Sequence, residues 1–216
     1  DRRTFLTAVG ATAVAGGMSG SAIAAPPYVI EQGESSREIT PLSGDVPVEE
    51  LLEYQLPDGR YDGDNGARDE GGPYFAITGA EALQQDNTSV LFLYDGPNGL
   101  SLVVIHGHVQ SAGSEGGSVS FDLAGMPENG EWVVKDDLYL DPDTGQPAST
   151  NYDTWNVDST THSIDWTYGA SRTDGGAFRG LGDSFAVTVD PSFNDDAVLY
   201  EQYYDGDLTD WQLLSG

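Results

Sequence analysis

The sequence predicts an all-β protein: a single antiparallel β-sandwich of jelly-roll-like form, with one or two short helices. Short segments rich in β-branched and aromatic residues recur along the chain, as strands do. Glycine-rich turns such as 95–99, 116–117 and 128–130 separate these segments. Many short strands joined by such turns are typical of a sandwich or barrel rather than of a sheet with helical crossovers.

The first 25 residues are predicted to be an export signal. Arg2 and Arg3 are followed by Thr-Phe-Leu and by a weakly apolar, small-residue run that ends at Ala25. A charged start, an apolar middle and a small-residue end are the parts of a signal peptide, and the arginine pair resembles a twin-arginine (Tat) signal. An N-terminal transmembrane anchor is the alternative, and the weak hydrophobicity of the run disfavours it.

Residues 26–46 are polar and show no periodicity, so we predict a flexible N-terminal linker there. The domain itself is predicted to span 47–216. It begins with a short helix within 47–54, because Val48, Leu51 and Leu52 lie at helical spacing. One or two helical turns are predicted at 80–85.

The strands follow from alternation and from continuous apolar runs. The segment 100–109 starts apolar on both faces, which predicts a central strand. In 118–123, Phe121 and Leu123 share one face while Ser120 and Asp122 share the other, as in a half-solvated strand. The predicted strands are 74–78, 90–94, 100–109, 118–123, 131–136, 163–167, 185–189, 198–204 and 208–213.

The charge balance indicates a folded domain adapted to concentrated salt. The chain has 36 acidic and 8 basic residues and a formal net charge of −28. The acids are spread among aromatic and β-branched residues, which argues against a disordered acidic tail. Such a charge repels phosphates, so we expect no nucleic-acid partner. No cysteine is present, which excludes disulfides, thiolate metal sites and a cysteine nucleophile.

The acidic composition and the twin-arginine signal together resemble the secreted and cell-surface proteins of halophilic archaea. The resemblance covers only the signal and the composition. It implies Tat export and a place outside the cell or at its surface. No transmembrane segment is expected after residue 25, since no later apolar run approaches the roughly 20 residues that span a bilayer.

Two patterns suit a metal ion. Strand alternation would place His106 and His108 on one face. The pairs Asp62/Asp64 and Asp141/Asp143 space carboxylates two apart in glycine-containing turns, which suits calcium, the one cofactor the sequence suggests. Neither turn has the final glutamate of an EF-hand loop. The alternative is that these are half-exposed strand histidines and solvated turn aspartates.

A second set of residues suits a sugar or another polar ligand. Tryptophan rings stack on sugar rings, and an arginine in an acid-coated protein either pairs with a carboxylate or clamps an anionic ligand. We expect Arg172 and Arg179 to hold a glycine-rich loop at 171–182. The carboxylates Asp136, Asp137, Asp165 and Asp174 could supply a glycosidase-type pair. The candidate ligand-binding residues are Trp132, Trp155, Trp166, Arg172, Asp174 and Arg179.

The sequence carries no nucleophile elbow in residues 26–216, no zinc-protease helix, no phosphate loop and no dinucleotide fingerprint. It therefore favours a protein that is not an enzyme. We predict a secreted or cell-surface binding or structural module, with carbohydrate or another cell-surface component as the preferred partner. The alternative is a secreted hydrolase that uses either an aspartate pair or a metal at His106 and His108.

Overall fold

In the described part of the chain, two β-sheets pack face to face as a sandwich. The computed structural model describes residues 4–8, 28–54, 77–138, 140, 143–144, 146, 151–204 and 206–216. The elements are β1 (Thr4–Ala8), β2 (Tyr28–Gln32), β3 (Ser35–Ile39), β4 (Leu42–Ser43), α1 (Val48–Leu52), β5 (Thr88–Gly96), β6 (Gly99–Gly107), β7 (Gly117–Ala124), β8 (Glu131–Lys135), β9 (Thr154–Asp158), β10 (Thr161–Tyr168), β11 (Thr173–Arg179), β12 (Ala186–Phe193) and β13 (Asp210–Leu214), with 3-10 turns at Glu81–Leu83 and Asn194–Asp196.

The strand order confirms the predicted all-β sandwich. One sheet runs β3-β2-β1-β12-β7-β10-β9, and the other runs β13-β5-β6-β11-β8 with β4 also paired to β5. The described pairings are antiparallel except that β13 and β4 run parallel to β5. None of the helices among the described residues is long and apolar enough to cross a membrane.

The main core lies between the two sheets. Phe121 and Leu123 of β7 point into it, as predicted, and Trp166 of β10 and Phe178 of β11 fill its centre. Phe121 meets Trp166 edge to face, with ring centroids 5.3 Å apart, an arrangement that aromatic pairs favour.

A second core covers the outer face of the β13-β5-β6-β11-β8 sheet. Helix α1 falls within the predicted segment 47–54 and buries Val48 and Leu52 against that face. Val103 and Ile105 of β6 belong to this second core, while the residues between and beside them face the first. Strand β6 is therefore buried on both faces and lies between β5 and β11, which confirms the prediction of a central strand.

The glycine-rich segment predicted as a loop at 171–182 is in fact largely strand β11. Gly175 has a φ of 145°, and a Cβ there would clash with the carbonyl oxygen of Val104. A Cβ at Gly176 would lie 2.8 Å from the ring of Trp155. The prediction was wrong because these glycines serve close packing between strands, not turn formation.

We expect Gly175→Ala to destabilise the protein by about 3 kcal/mol, since it combines a positive φ with a clash against backbone. Gly182→Ala is the matched control. Gly182 also has a positive φ, 71°, but nothing lies within 4 Å of an added Cβ, so about 1 kcal/mol is expected from strain alone. Urea unfolding in molar salt measures both variants, and equal losses would contradict the packing role of Gly175.

Several other segments differ from prediction. The region 26–46, predicted as a linker, contains the hairpin β2–β3, because Tyr28 and Ile30 pack on the main core. Strand β1 lies within the segment predicted as an export signal and pairs with both β12 and β2. The segment 198–204 forms turns instead of a strand, and β9 was not predicted.

Candidate functional site

A cavity of about 300 Å³ opens at one end of the sandwich, between the two sheets. Strand β8 ends there, β10 ends there and β11 begins there. We call it the acid cavity. Its lining residues are Asp136, Asp137, Tyr152, Thr167, Tyr168, Gly169, Arg172, Thr173, Asp174 and Tyr204.

Three aspartates are buried at the acid cavity, and we call them the carboxyl triad: Asp136, Asp153 and Asp174, with exposures of 1%, 7% and 2%. The backbone N–H of Gly175 donates to Oδ1 of Asp174 over 2.8 Å, and that of Thr167 donates to Oδ1 of Asp153 over 3.0 Å. Among the described residues, no N–H or hydroxyl group donates to Oδ2 of Asp153, to Oδ2 of Asp174 or to either oxygen of Asp136.

The carboxyl triad shares protons. Burial, and then the charges of neighbouring aspartates, raise the pKa of each of the three carboxyls well above its usual range. The carboxyl of Asp136 lies within hydrogen-bonding reach of Asp174, and Asp174 lies within reach of Asp153. A hydrogen bond between two carboxyls requires a proton on one of them, so the raised pKa values and the close contacts both favour a triad that keeps protons at a pH where exposed aspartates have lost theirs.

Tyrosines surround the triad. The hydroxyl of Tyr168, a residue only 4% exposed, has no partner among the described residues, and neither has that of buried Tyr54. Burial and then the charge of Asp174 raise the pKa of Tyr168. Tyr152 and Tyr204 are half-buried at the outer wall, with ring centroids 6.3 Å apart.

The two arginines of β11 and its preceding turn have separate positions. Half-buried Arg172 lines the acid cavity, and its positive charge partly offsets the rise that burial causes in the pKa of Tyr204. Arg179 lies at the far end of β11 and binds Glu49 of α1 over 2.5 Å and Glu131 of β8 over 2.6 Å. Arg179 therefore pairs with carboxylates, as the structural interpretation expected, but it ties the helix to the sheet instead of holding a loop, and it is not among the residues that line the cavity.

The three tryptophans that were predicted to bind a ligand do not form an exposed surface for stacking on a sugar. Trp132 and Trp166 are buried in the main core, and Trp155 packs against both, with ring centroids 5.2 and 5.6 Å away. The indole N–H of Trp155 donates to the carbonyl of Asp136 over 2.9 Å. The three rings therefore pack in or against the main core next to the cavity, because a sandwich core needs large apolar side chains.

Asp165 does not lie at the acid cavity with Asp136 and Asp174. Side chains alternate along β10, so Asp165 points away from the main core, where its carboxyl accepts a hydrogen bond from Ser120 over 2.7 Å. Of the predicted acids, Asp136, Asp137 and Asp174 lie together at the cavity.

The structure also separates the two histidines predicted as metal ligands. His106 is buried in the core, where its Nδ1 lies 2.9 Å from the Ser89 hydroxyl, and burial lowers its pKa to about 3. Gly107, with a φ of 76°, ends the strand and breaks the alternation. His108 lies beyond it and pairs with Asp86 over 3.1 Å.

The predicted calcium turns are only partly visible. Asp62, Asp64 and Asp141 lie outside the described residues, and Asp143 is exposed. Over the described ranges, no group of three or more His, Cys, Asp or Glu side chains is arranged to hold a metal ion.

A second, wider depression of about 660 Å³ lies on the outer face of β7, β9, β10 and β12. It includes Asp122 and Asp158, which are exposed to water, and Thr188, which is half-buried. Water can satisfy such groups, so they carry no unmet demand for a ligand. The acid cavity is therefore the stronger candidate.

Sequence reasoning missed Asp153, Tyr54, Tyr152 and Tyr204. Asp153 has no local signal, because its carboxyl is positioned by the backbone of Thr167 on a different segment. The sequence did indicate Asp136, Asp137 and Asp174, as acids near aromatic residues, and Arg172, as a basic residue in an acidic chain.

Comparisons with protein-family models, with curated proteins and with solved structures give no match to this chain. The function is therefore inferred from the chemistry of the acid cavity.

Proposed function

We propose that this protein is a binding module that acts outside the cell and takes a small hydroxyl-rich ligand, such as one sugar residue, into the acid cavity. One observation carries the proposal. Polar atoms of Asp136, Asp174 and Tyr168 line a single cavity, are buried and have unused hydrogen-bonding capacity.

A buried polar group without a partner costs about 1–3 kcal/mol, so a ligand that supplies the partners gains that energy on binding. A sugar hydroxyl both donates and accepts, which matches carboxyls that share protons and a tyrosine hydroxyl. The cavity volume of about 300 Å³ is at the small end for ligand sites, which favours a single ring. Tyr152 and Tyr204 supply ring faces at the outer wall.

The test is calorimetric titration of the protein with monosaccharides in molar salt. We expect Tyr168→Phe to weaken binding about 3- to 10-fold, because it removes one hydrogen bond and keeps the ring. Asp165→Asn is the control for nonspecific effects, since it alters a buried polar side chain that lies outside the cavity. Equal affinities for the parent and Tyr168→Phe would contradict binding in the acid cavity.

A second candidate function is hydrolysis. A general acid must keep its proton near neutral pH, and burial, followed by the charge of Asp174, raises the pKa of Asp136 at the cavity wall in that direction. Retaining glycosidases hold their two carboxyls about 5 Å apart, so this contact pair is closer to a proton-sharing dyad that activates water. Release of a hydrolysis product by the parent protein, lost in Asp136→Asn at saturating ligand, would favour this function over the binding module.

We further propose that the chain is exported by the Tat pathway. Its support is the arginine pair at positions 2 and 3 followed by a weakly apolar run. We expect the double variant Arg2→Lys/Arg3→Lys to remain in the cell, as judged by immunoblots of medium and cell fractions. The double variant keeps the charge of the precursor, so undiminished secretion would contradict recognition of the arginine pair.

A further inference from the structure

We propose that the acid cavity selects a sugar that carries a free amine, and that the ammonium group of this sugar replaces a shared proton of the carboxyl triad. The inference rests on the proposed function, the binding of a sugar residue in the same cavity. It names the chemical class of that sugar.

The first argument is charge. Asp136, Asp137 and Asp174 line the cavity and Asp153 lies behind them, whereas Arg172 is the one basic residue among the described lining residues. In the described part of the chain, the other titratable groups around the cavity are the hydroxyls of Tyr54, Tyr152, Tyr168 and Tyr204. A cationic ligand group is therefore stabilised in the cavity, and an anionic one is repelled.

The second argument is hydrogen-bonding geometry. An ammonium group has three donors and no acceptor. Apart from the contacts among the triad carboxyls themselves, the cavity offers buried oxygens that lack a partner among the described residues: both oxygens of Asp136, Oδ2 of Asp174 and the hydroxyl of Tyr168. The Tyr168 hydroxyl is an observation independent of the carboxyl cluster, and it lies at the same cavity. Tyrosine rings at the wall also attract a cation through their faces.

The third argument is competition with protons. In the empty cavity the triad is stabilised by the protons it shares, because burial and the neighbouring carboxyls disfavour its charged form. An ammonium group that donates to the same oxygens takes over that role, and the displaced proton leaves to solvent. Binding of an amino sugar is therefore coupled to proton release, whereas a neutral sugar binds without it.

The experiment is calorimetric titration of the full chain in molar salt with glucosamine, glucose and N-acetylglucosamine. At about pH 6 a primary amine is protonated. We expect glucosamine to bind about tenfold more tightly than the two neutral sugars, a difference of one unit in log Kd. Repeating the titration in buffers of different ionisation enthalpy counts the protons released, and we expect close to one for glucosamine and none for glucose.

The variants locate the effect. Asp136→Asn keeps the shape of a protonated carboxyl but cannot ionise, so we expect the ratio of its affinities for glucosamine and glucose to fall to about one. Asp165→Asn should keep the preference. Should Asp136→Asn fail to fold, the proton count on the parent protein still decides the question.

The two proposals fail in different ways. Equal affinity for glucosamine and glucose without proton release would overturn the amine selectivity and leave the sugar-binding function standing. Absence of binding by all three sugars would overturn both. A preference for glucosamine that survives in Asp136→Asn would assign the cation to another surface of this acidic protein and would also overturn the inference.

Discussion

Transfer of the protein from molar salt to dilute buffer is expected to unfold it cooperatively. The chain carries a net charge of −28, and acids such as Glu31, Glu38, Asp95 and Asp183 are exposed on its surface. The screening length is about 30 Å at 0.01 M salt and about 3 Å at 1 M salt. At low salt the repulsion therefore extends across the whole domain, whereas at molar salt it is confined to adjacent charges.

Circular dichroism melts over a series of NaCl concentrations measure this effect. We expect the midpoint to rise steadily with salt and to be the same in KCl, because screening depends on ionic strength and not on the identity of the cation. Sucrose at matched osmolality is the control, since it favours burial without screening charge. An unchanged midpoint between about 0.01 and 1 M NaCl would show that the acids are not a source of instability.

Local patterns were sufficient to predict the elements in which the spacing of apolar residues alone identifies the buried face or faces. Helix α1 and strand β6 have apolar residues at spacings that only one structure satisfies. The segment 198–204 shows the limit of this reasoning. It has an apolar and aromatic composition, yet Val198 is 63% exposed and the segment forms turns.

Strand β11 could not be predicted, because its glycines are explained by partners distant in sequence. Gly175 contacts the backbone of β6, and Gly176 contacts Trp155 of β9. Long-range packing of this kind overrides the local preference of glycine for turns.

The candidate site was predictable in chemistry and not in geometry. Acidic residues and aromatic rings near one another suggested a polar ligand, and Asp136 and Asp174 do line one cavity. The sequence could not show that Asp165 points to the other side of β10 or that the tryptophans fill the core. Both facts depend on which face of each strand meets the opposite sheet.

Raising the pH above about 6.5 is expected to lower the free energy of unfolding through the carboxyl triad. Burial raises the pKa of Asp136, Asp153 and Asp174 above the unfolded value, so the folded state binds more protons than the unfolded chain. Stability is then fully present below the unfolded pKa of about 3.9 and falls as pH rises through the folded pKa. The slope is up to about 1.4 kcal/mol per pH unit for each extra proton bound.

Burial of the histidines has the opposite effect on stability: it makes the free energy of unfolding decrease as the pH falls. The pKa of His106 is lowered to about 3, and that of His162 is also lowered, both through burial. The unfolded chain takes up these protons below about pH 6.5, so stability is lost as the pH falls from there. The window from about pH 6.5 to 8 therefore isolates the triad, and the loss expected there is up to about 1.4 kcal/mol per pH unit for each extra proton that the folded triad keeps.

Urea unfolding across that window, in molar salt, compares the parent with Asp136→Asn. The amide resembles a protonated carboxyl and cannot ionise, so we expect the variant to be less sensitive to pH and more stable than the parent at about pH 8. Asp122→Asn, which removes an exposed carboxylate, should keep the slope of the parent. A parent protein whose stability does not fall between about pH 6.5 and 8 would mean that the folded triad binds no extra proton in that range, and the proton-sharing account of the acid cavity would then be wrong.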